Sequence, residues 1–145
     1  MPPLNHAVLS ASSAYRWLEC PPSALATADI PDETTIYAQE GSAAHEMAEY
    51  KIRWHLGEKD LAPPNIGNFN AEEIDRYTDS YAYYATDKIE TIRKSCPDAV
   101  VMVEQRLDFS NYVEDGFGTG DLVIVADDVI QVIDFKYGKG VAVSA

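Results

Sequence analysis

The sequence predicts an α/β protein: N-terminal helices followed by a three-stranded antiparallel sheet. Three observations carry this. Apolar residues recur at spacings of three and four along two stretches, 41–56 and 70–95. Beyond Pro97 the pattern changes to β-branched runs. Asp127-Asp128 then separates two such runs as a two-residue turn. A helical part over about residues 10–96 and a sheet part over about 99–137 form a single domain spanning 1–145.

Ser10 or Ser12 is placed to cap a short helix on which Ala14, Tyr15 and Leu18 lie together. Pro21 forces Cys20 out of helical geometry, Pro22 reinforces the stop, and 28–35 reads as a loop. A helix over Gly41–Leu56 gathers Gly41, His45, Ala48, Glu49, Ile52, His55 and Leu56 on one face, and Gly57 ends it. Residues 61–68 form a Pro/Gly/Asn connection to a longer helix, Asn70–Ser95. Asn70 caps that helix, Glu72 and Glu73 suit its positive end, and Arg93 and Lys94 suit its negative end. Its expected buried face is Ile74, Tyr77, Tyr81, Tyr84, Lys88 and Ile92; at that spacing the tyrosines, Tyr83 included, read as core rather than as a base-stacking platform. Strands follow at Ala99–Leu107, Asp121–Ala126 and Val129–Lys136, with a turn at Gly116–Gly120.

Composition bounds the function. Against 24 acidic residues stand 11 Lys and Arg, a formal charge of −13, while 46% hydrophobic residues place the chain among globular proteins. Such acidity excludes a general phosphate-backbone binder unless cations or a local basic strip intervene. No apolar run approaches the ~20 residues of a membrane span, and the N-terminus lacks the pattern of a signal peptide. Cys20 and Cys96 are too few for a disulfide framework or a four-cysteine metal site. A cytoplasmic protein with reduced thiols and no membrane partner is expected, with Cys20 a small buried residue at a helix end.

The hairpin carries the chemistry. A two-residue loop at Asp127-Asp128 pairs Ala126 with Val129, Val125 with Ile130, Val123 with Val132, and Asp121 with Asp134. Two carboxylates then face each other with Cα atoms about 4.5–5.5 Å apart, and Lys136 shares their side of the sheet. Charges about 5 Å apart repel by roughly 3 kcal/mol at an effective dielectric near 20. Both strands are apolar on both faces, which predicts cover on both. A divalent cation between the acids would turn repulsion into attraction; Lys136 neutralising one of them is the simpler alternative. His45, alone on an apolar helix face, reads without further context as a hydrogen-bonded boundary residue. His55 and His6 read as structural or solvated.

In this pattern the chain resembles the PD-(D/E)XK nuclease superfamily. Asp121 stands at the start of one strand and Asp134-Phe135-Lys136 on its hairpin partner. Gly41-Ser42-Ala43-Ala44-His45 is similar to the G-x-x-x-H motif of the RecB-like branch, and Ser10–Pro21 to that branch's opening. The opening together with Asp134–Gly140 resembles a phage-associated subfamily of uncharacterised RecB-like nucleases. The resemblance implies an incomplete restriction-endonuclease-like core and Mg2+ or Mn2+ held by Asp121, Asp134, His45 and the Phe135 carbonyl. Lys136 would then orient the attacking water or offset charge on the phosphate. Glu104 on the first strand is a further candidate ligand, against a solvent-facing strand acid. Glu49, one turn after His45, is a candidate hydrogen-bond partner of the imidazole, against a plain surface acid. Lys139 either meets phosphate or is solvated.

The likeness is incomplete. An iron–sulfur cluster, held in some relatives by one early and three late cysteines, is not supported here. Relatives also continue past the D-x-K strand into a Q-x-x-x-Y helix and a further strand, so the chain is expected to be truncated, or completed by a second copy or another chain. The implied function is metal-dependent cleavage of DNA, in the setting of phage recombination or replication proteins. Two alternatives stand beside it: an inactive remnant or binding module that keeps the nuclease-like fold, and an acidic DNA mimic without metal affinity.

Overall fold

The structure, a computed structural model, describes residues 7–30 and 35–138. His6, Lys139 and part of the expected 28–35 loop lie outside the described residues. After a 3-10 turn at Ala11–Ser13 come helices α1 (Ala14–Glu19), α2 (Pro22–Thr27), α3 (Ile36–His55) and α4 (Ala71–Ser95), then strands β1 (Val100–Asp108), β2 (Phe117–Ala126) and β3 (Val129–Ile133). The fold class is therefore α/β, with helices followed by an open antiparallel sheet of order β1-β2-β3. Among the described residues no helix is long and apolar enough to cross a membrane. The chain divides into two compact units, Met1–Glu33 with Gln105–Gly120 and Thr34–Glu104 with Asp121–Ala145.

In the first unit, Ser10 precedes the 3-10 turn but caps no backbone N–H; its hydroxyl is engaged with those of Ser12 and Ser13 at 3.2 and 2.8 Å. The expected apolar grouping on α1 does not form, since Tyr15 and Leu18 are exposed and α1 buries no residue. Cys20 is accordingly exposed rather than buried, because a short helix without a buried face offers its next residue nothing to pack on. Pro22 does not extend the stop. It opens α2 at the first helical position, where a missing N–H costs no hydrogen bond. Residues 109–116 join β1 to β2, closed by the Phe109 N–H donating to the Gly116 carbonyl at 3.0 Å. Gly116 is required there, because a Cβ would stand 2.6 Å from the Phe109 ring and 2.7 Å from the Val113 carbonyl. Most of the stretch expected as a turn, 116–120, is strand β2.

In the second unit, α3 starts at Ile36 rather than Gly41, because the Thr35 hydroxyl accepts the Ala38 N–H at 3.1 Å and caps it earlier. Its end is as expected. Gly57 takes φ +106°, its N–H donates to the Trp54 carbonyl, and the Glu58 N–H donates to that of Arg53. Helix α4 begins after Asn70, whose side chain accepts the Glu73 N–H at 3.2 Å. Lys51 ties α3 to α4 by donating to Thr78 Oγ1, Asp75 Oδ1 and Asp79 Oδ1 at 2.8, 3.0 and 2.6 Å. His55 Nε2 adds a 3.1 Å contact to Glu90 Oε1.

The buried face of α4 is rotated from the tyrosine stripe. Ile74, Thr78, Ala85 and Ile89 are buried, Tyr81 is partly so, and Tyr77, Tyr83 and Tyr84 are exposed. Small residues decide this. Ala43, Ala44 and Ala48 of α3 cluster with Ile74, and such close approach leaves bulky rings at the margin.

The hairpin register is the expected one from Ala126↔Val129 to Val123↔Val132, with Asp127 at φ +43° in the turn, and the ladder ends at Leu122↔Ile133. Leu122, Ile124 and Ala126 pack with Ile52, Ala85 and Ile89 of the helices. Cover on both faces, expected from the apolar pattern, holds on β2, where Leu122, Val123 and Ile124 are all buried, and is corrected on β3, where Ile130 and Val132 are 68% and 62% exposed at the sheet edge. Leu122→Ala should therefore cost about 2–5 kcal/mol in urea denaturation. Ile130→Ser should shift stability by no more than about 0.5 kcal/mol.

Candidate metal centre

Three elements of the second unit bring donors together. Helix α3 presents His45, β1 presents Glu104 and β2 presents Asp121, with one ligand atom of each within 4.8 Å of the others. His45 Nδ1 stands 3.6 Å from Asp121 Oδ2 and 4.0 Å from Glu104 Oε1. Asp121 is held at the point where the ladder ends: its Oδ2 accepts the Phe135 N–H at 2.6 Å, replacing the carbonyl that a continued β3 would have met. The Phe135 ring is buried among Ala43, Ala44, Met47 and Ile74, with ring centroids 5.2 Å from His45 and 4.6 Å from Tyr81. What Phe135 gives the site here is its N–H and its ring.

Glu104 corrects the reading of a solvent-facing strand acid. Val101 and Val103 pack against the helices, so regular alternation would send Glu104 the other way. Glu104 instead takes φ +49°, which breaks the alternation and brings its carboxylate toward His45. The Arg53 guanidinium fixes the preceding residue by donating to the Val103 carbonyl at 3.1 Å. The Glu104 side chain is only 27% exposed. Burial first, then the charges of Asp121, Glu49 and Asp134 against the opposing Arg53, push its carboxyl from 4.5 up to about 7.

Asp134 does not form the expected cross-strand pair. It lies beyond the end of β3, is exposed, and holds Lys136 Nζ at 2.9 Å through Oδ2. Outside the three-donor cluster, it acts on Glu104 and Tyr81 through its charge. Lys136 stands next to it as expected. Glu49 has Arg53 as its partner, at 2.7 Å, rather than the His45 imidazole.

Sequence reasoning missed Tyr81 as a site residue. Its hydroxyl is buried without a hydrogen-bond partner, and burial, then Asp121, Glu104 and Asp134, hold it protonated far above the usual phenol range. Its place on α4, one turn after Tyr77, was the available signal, but the stripe read as core. Two carboxylates and one imidazole with donor atoms this close could hold a divalent cation, the carboxylates suiting hard ions and the imidazole softer ones.

A family model described as "Protein of unknown function (DUF2800)" matches residues 6–145, and the chain belongs to that family. No solved structure matches the chain.

The Glu104 shift has a direct consequence for the metal-free protein. A carboxyl raised on folding contributes stability that is full below about 4.5 and is lost as pH rises through about 7. In chelator, the thermal midpoint of the wild type should fall relative to Glu104→Gln between about pH 5 and pH 8, measured by circular dichroism. Parallel curves for the two proteins would show that Glu104 is not strained by its neighbours.

Proposed function

We propose that this member of the DUF2800 family is a divalent-metal-dependent nuclease hydrolysing phosphodiester bonds of DNA. One observation carries the reading: His45, Glu104 and Asp121, from three separate elements, place their donor atoms within 4.8 Å of one another. Those three residues would hold Mg2+ or Mn2+. The cation would supply Lewis-acid polarisation of a phosphoryl oxygen and neutralisation of phosphate charge.

The chain's own groups supply the rest. The Phe135 N–H fixes the orientation of the Asp121 carboxylate. Lys136, exposed beside Asp134, sets a positive charge against an arriving phosphate in a protein of formal charge −13. The unpartnered Tyr81 hydroxyl is a donor for an oxygen brought to the centre. A PD-(D/E)XK-like, RecB-like ancestry, a role beside phage replication or recombination proteins, a cytoplasmic location and pairing of two copies along the sheet belong to the same proposal.

A second reading is favoured by Asp134, which the structure ties to Lys136 and leaves outside the cluster. In that reading the chain is a metal-binding module that keeps the nuclease-like fold without turnover.

Digestion of linear and circular DNA with Mn2+ or Mg2+ separates the two. His45→Ala and Asp121→Asn should lower cleavage by at least ~100-fold, and Lys136→Ala by about 100- to 1,000-fold. Cleavage unaffected by all three changes would overturn the hydrolytic reading. Calorimetric Mn2+ binding without any turnover would support the module.

A further inference from the structure

Two of the exposed tyrosines, Tyr37 and Tyr77, share one cavity with the half-buried Tyr137. A cavity of about 390 Å3 in the second unit is lined by Tyr37, Tyr77 and Tyr137 with Glu40, Glu73 and Lys136. Phe135 forms another wall. The Tyr77 and Tyr137 rings meet edge to face with centroids 5.9 Å apart, and the Phe135 and Tyr137 rings lie 6.3 Å apart. Tyr37 and Tyr77 are 73% and 46% exposed, so aromatic surface is open rather than consumed by packing. This volume falls within the ~300–1,000 Å3 typical of small-ligand sites.

The cavity shares residues with the metal centre. Phe135 lines it with its ring while its N–H holds Asp121, and Lys136 lines it while paired to Asp134. A strand with one phosphate at the centre therefore brings a neighbouring nucleotide to the cavity mouth. Aromatic faces accept any base by stacking, provided the base is unpaired and its face free. Glu40 and Glu73 repel phosphate but accept hydrogen bonds from exocyclic amino groups. Glu40 and Glu73 line the same cavity as the Tyr137 ring, and burial, then those two acids, raise its hydroxyl above the usual phenol range.

We propose that the Tyr37–Tyr77–Tyr137 cavity is a stacking subsite for one unpaired nucleobase, so that the substrate is a single-stranded segment or frayed end, with amino-bearing bases preferred over thymine. The inference rests on the nuclease reading of the adjacent centre and extends it to a substrate class.

Fluorescence anisotropy of labelled ten-nucleotide oligodeoxycytidylate, oligodeoxythymidylate and a ten-base-pair blunt duplex, with Ca2+ present, tests it on the full chain. The wild type should bind the cytidylate strand tighter than thymidylate and tighter than the duplex. Tyr77→Ala should weaken cytidylate binding by roughly 5- to 100-fold, and Tyr77→Phe by less than about twofold, since the ring remains. Tyr137→Ala gives an independent second reading of the same wall. Unchanged single-strand affinity in both alanine variants, or equal weakening on the duplex, overturns the subsite, whatever Asp121→Asn does to cleavage. Tyrosine-dependent single-strand binding without metal-dependent cleavage keeps the subsite and overturns the hydrolytic reading instead.

Discussion

The structure turns on one unfavourable interaction that the fold builds deliberately. Glu104 and Asp121 are brought from different strands to the same imidazole. Two carboxylates about 5 Å apart repel by roughly 3 kcal/mol at an effective dielectric near 20. Three features hold them there. The Phe135 N–H pins Asp121, a left-handed residue turns Glu104 inward, and Arg53 grips the carbonyl just before it. Without a cation the strain falls on Glu104, whose carboxyl is pushed up to about 7. A fold that pays to concentrate negative charge beside a histidine is suited to a positive ion.

The helices supply the rigid side of this arrangement. Helix α3 carries His45 on the flank of a face made of Ala43, Ala44, Met47, Ala48 and Ile52. Small residues there allow close approach to α4, and Lys51 locks the pair with bonds to Thr78, Asp75 and Asp79. The same close packing displaces the large rings of Tyr77 and Tyr84 to the surface. The open aromatic cavity is thus a by-product of how the helices meet.

The legible parts of the fold were those written in local chemistry. Asn70 and Gly57 mark helix ends because a capping carboxamide and a left-handed glycine act within a few residues. The Asp127-Asp128 turn sets the register of the hairpin for the same reason. What was not legible depended on distant partners. The rotation of the α4 face is decided by alanines on α3, and Cys20 is exposed because α1 buries nothing. Glu104 enters the site through a φ of +49° that no periodicity announces. Pairing Asp121 with Asp134 extended the ladder one step too far. The Asp121 side chain itself ends that ladder by taking the Phe135 N–H. His45 and Asp121 were singled out from sequence and do meet, at 3.6 Å.

The central claim is that His45, Glu104 and Asp121 grip one cation jointly. Electron paramagnetic resonance titration of Mn2+ tests it most directly, since bound ions lose the sharp signal of the free ion. The account predicts one tight Mn2+ per chain, with affinity falling at least ~10-fold in each of His45→Ala, Glu104→Gln and Asp121→Asn. A tight site untouched by these three changes, or no bound ion at all, would contradict it.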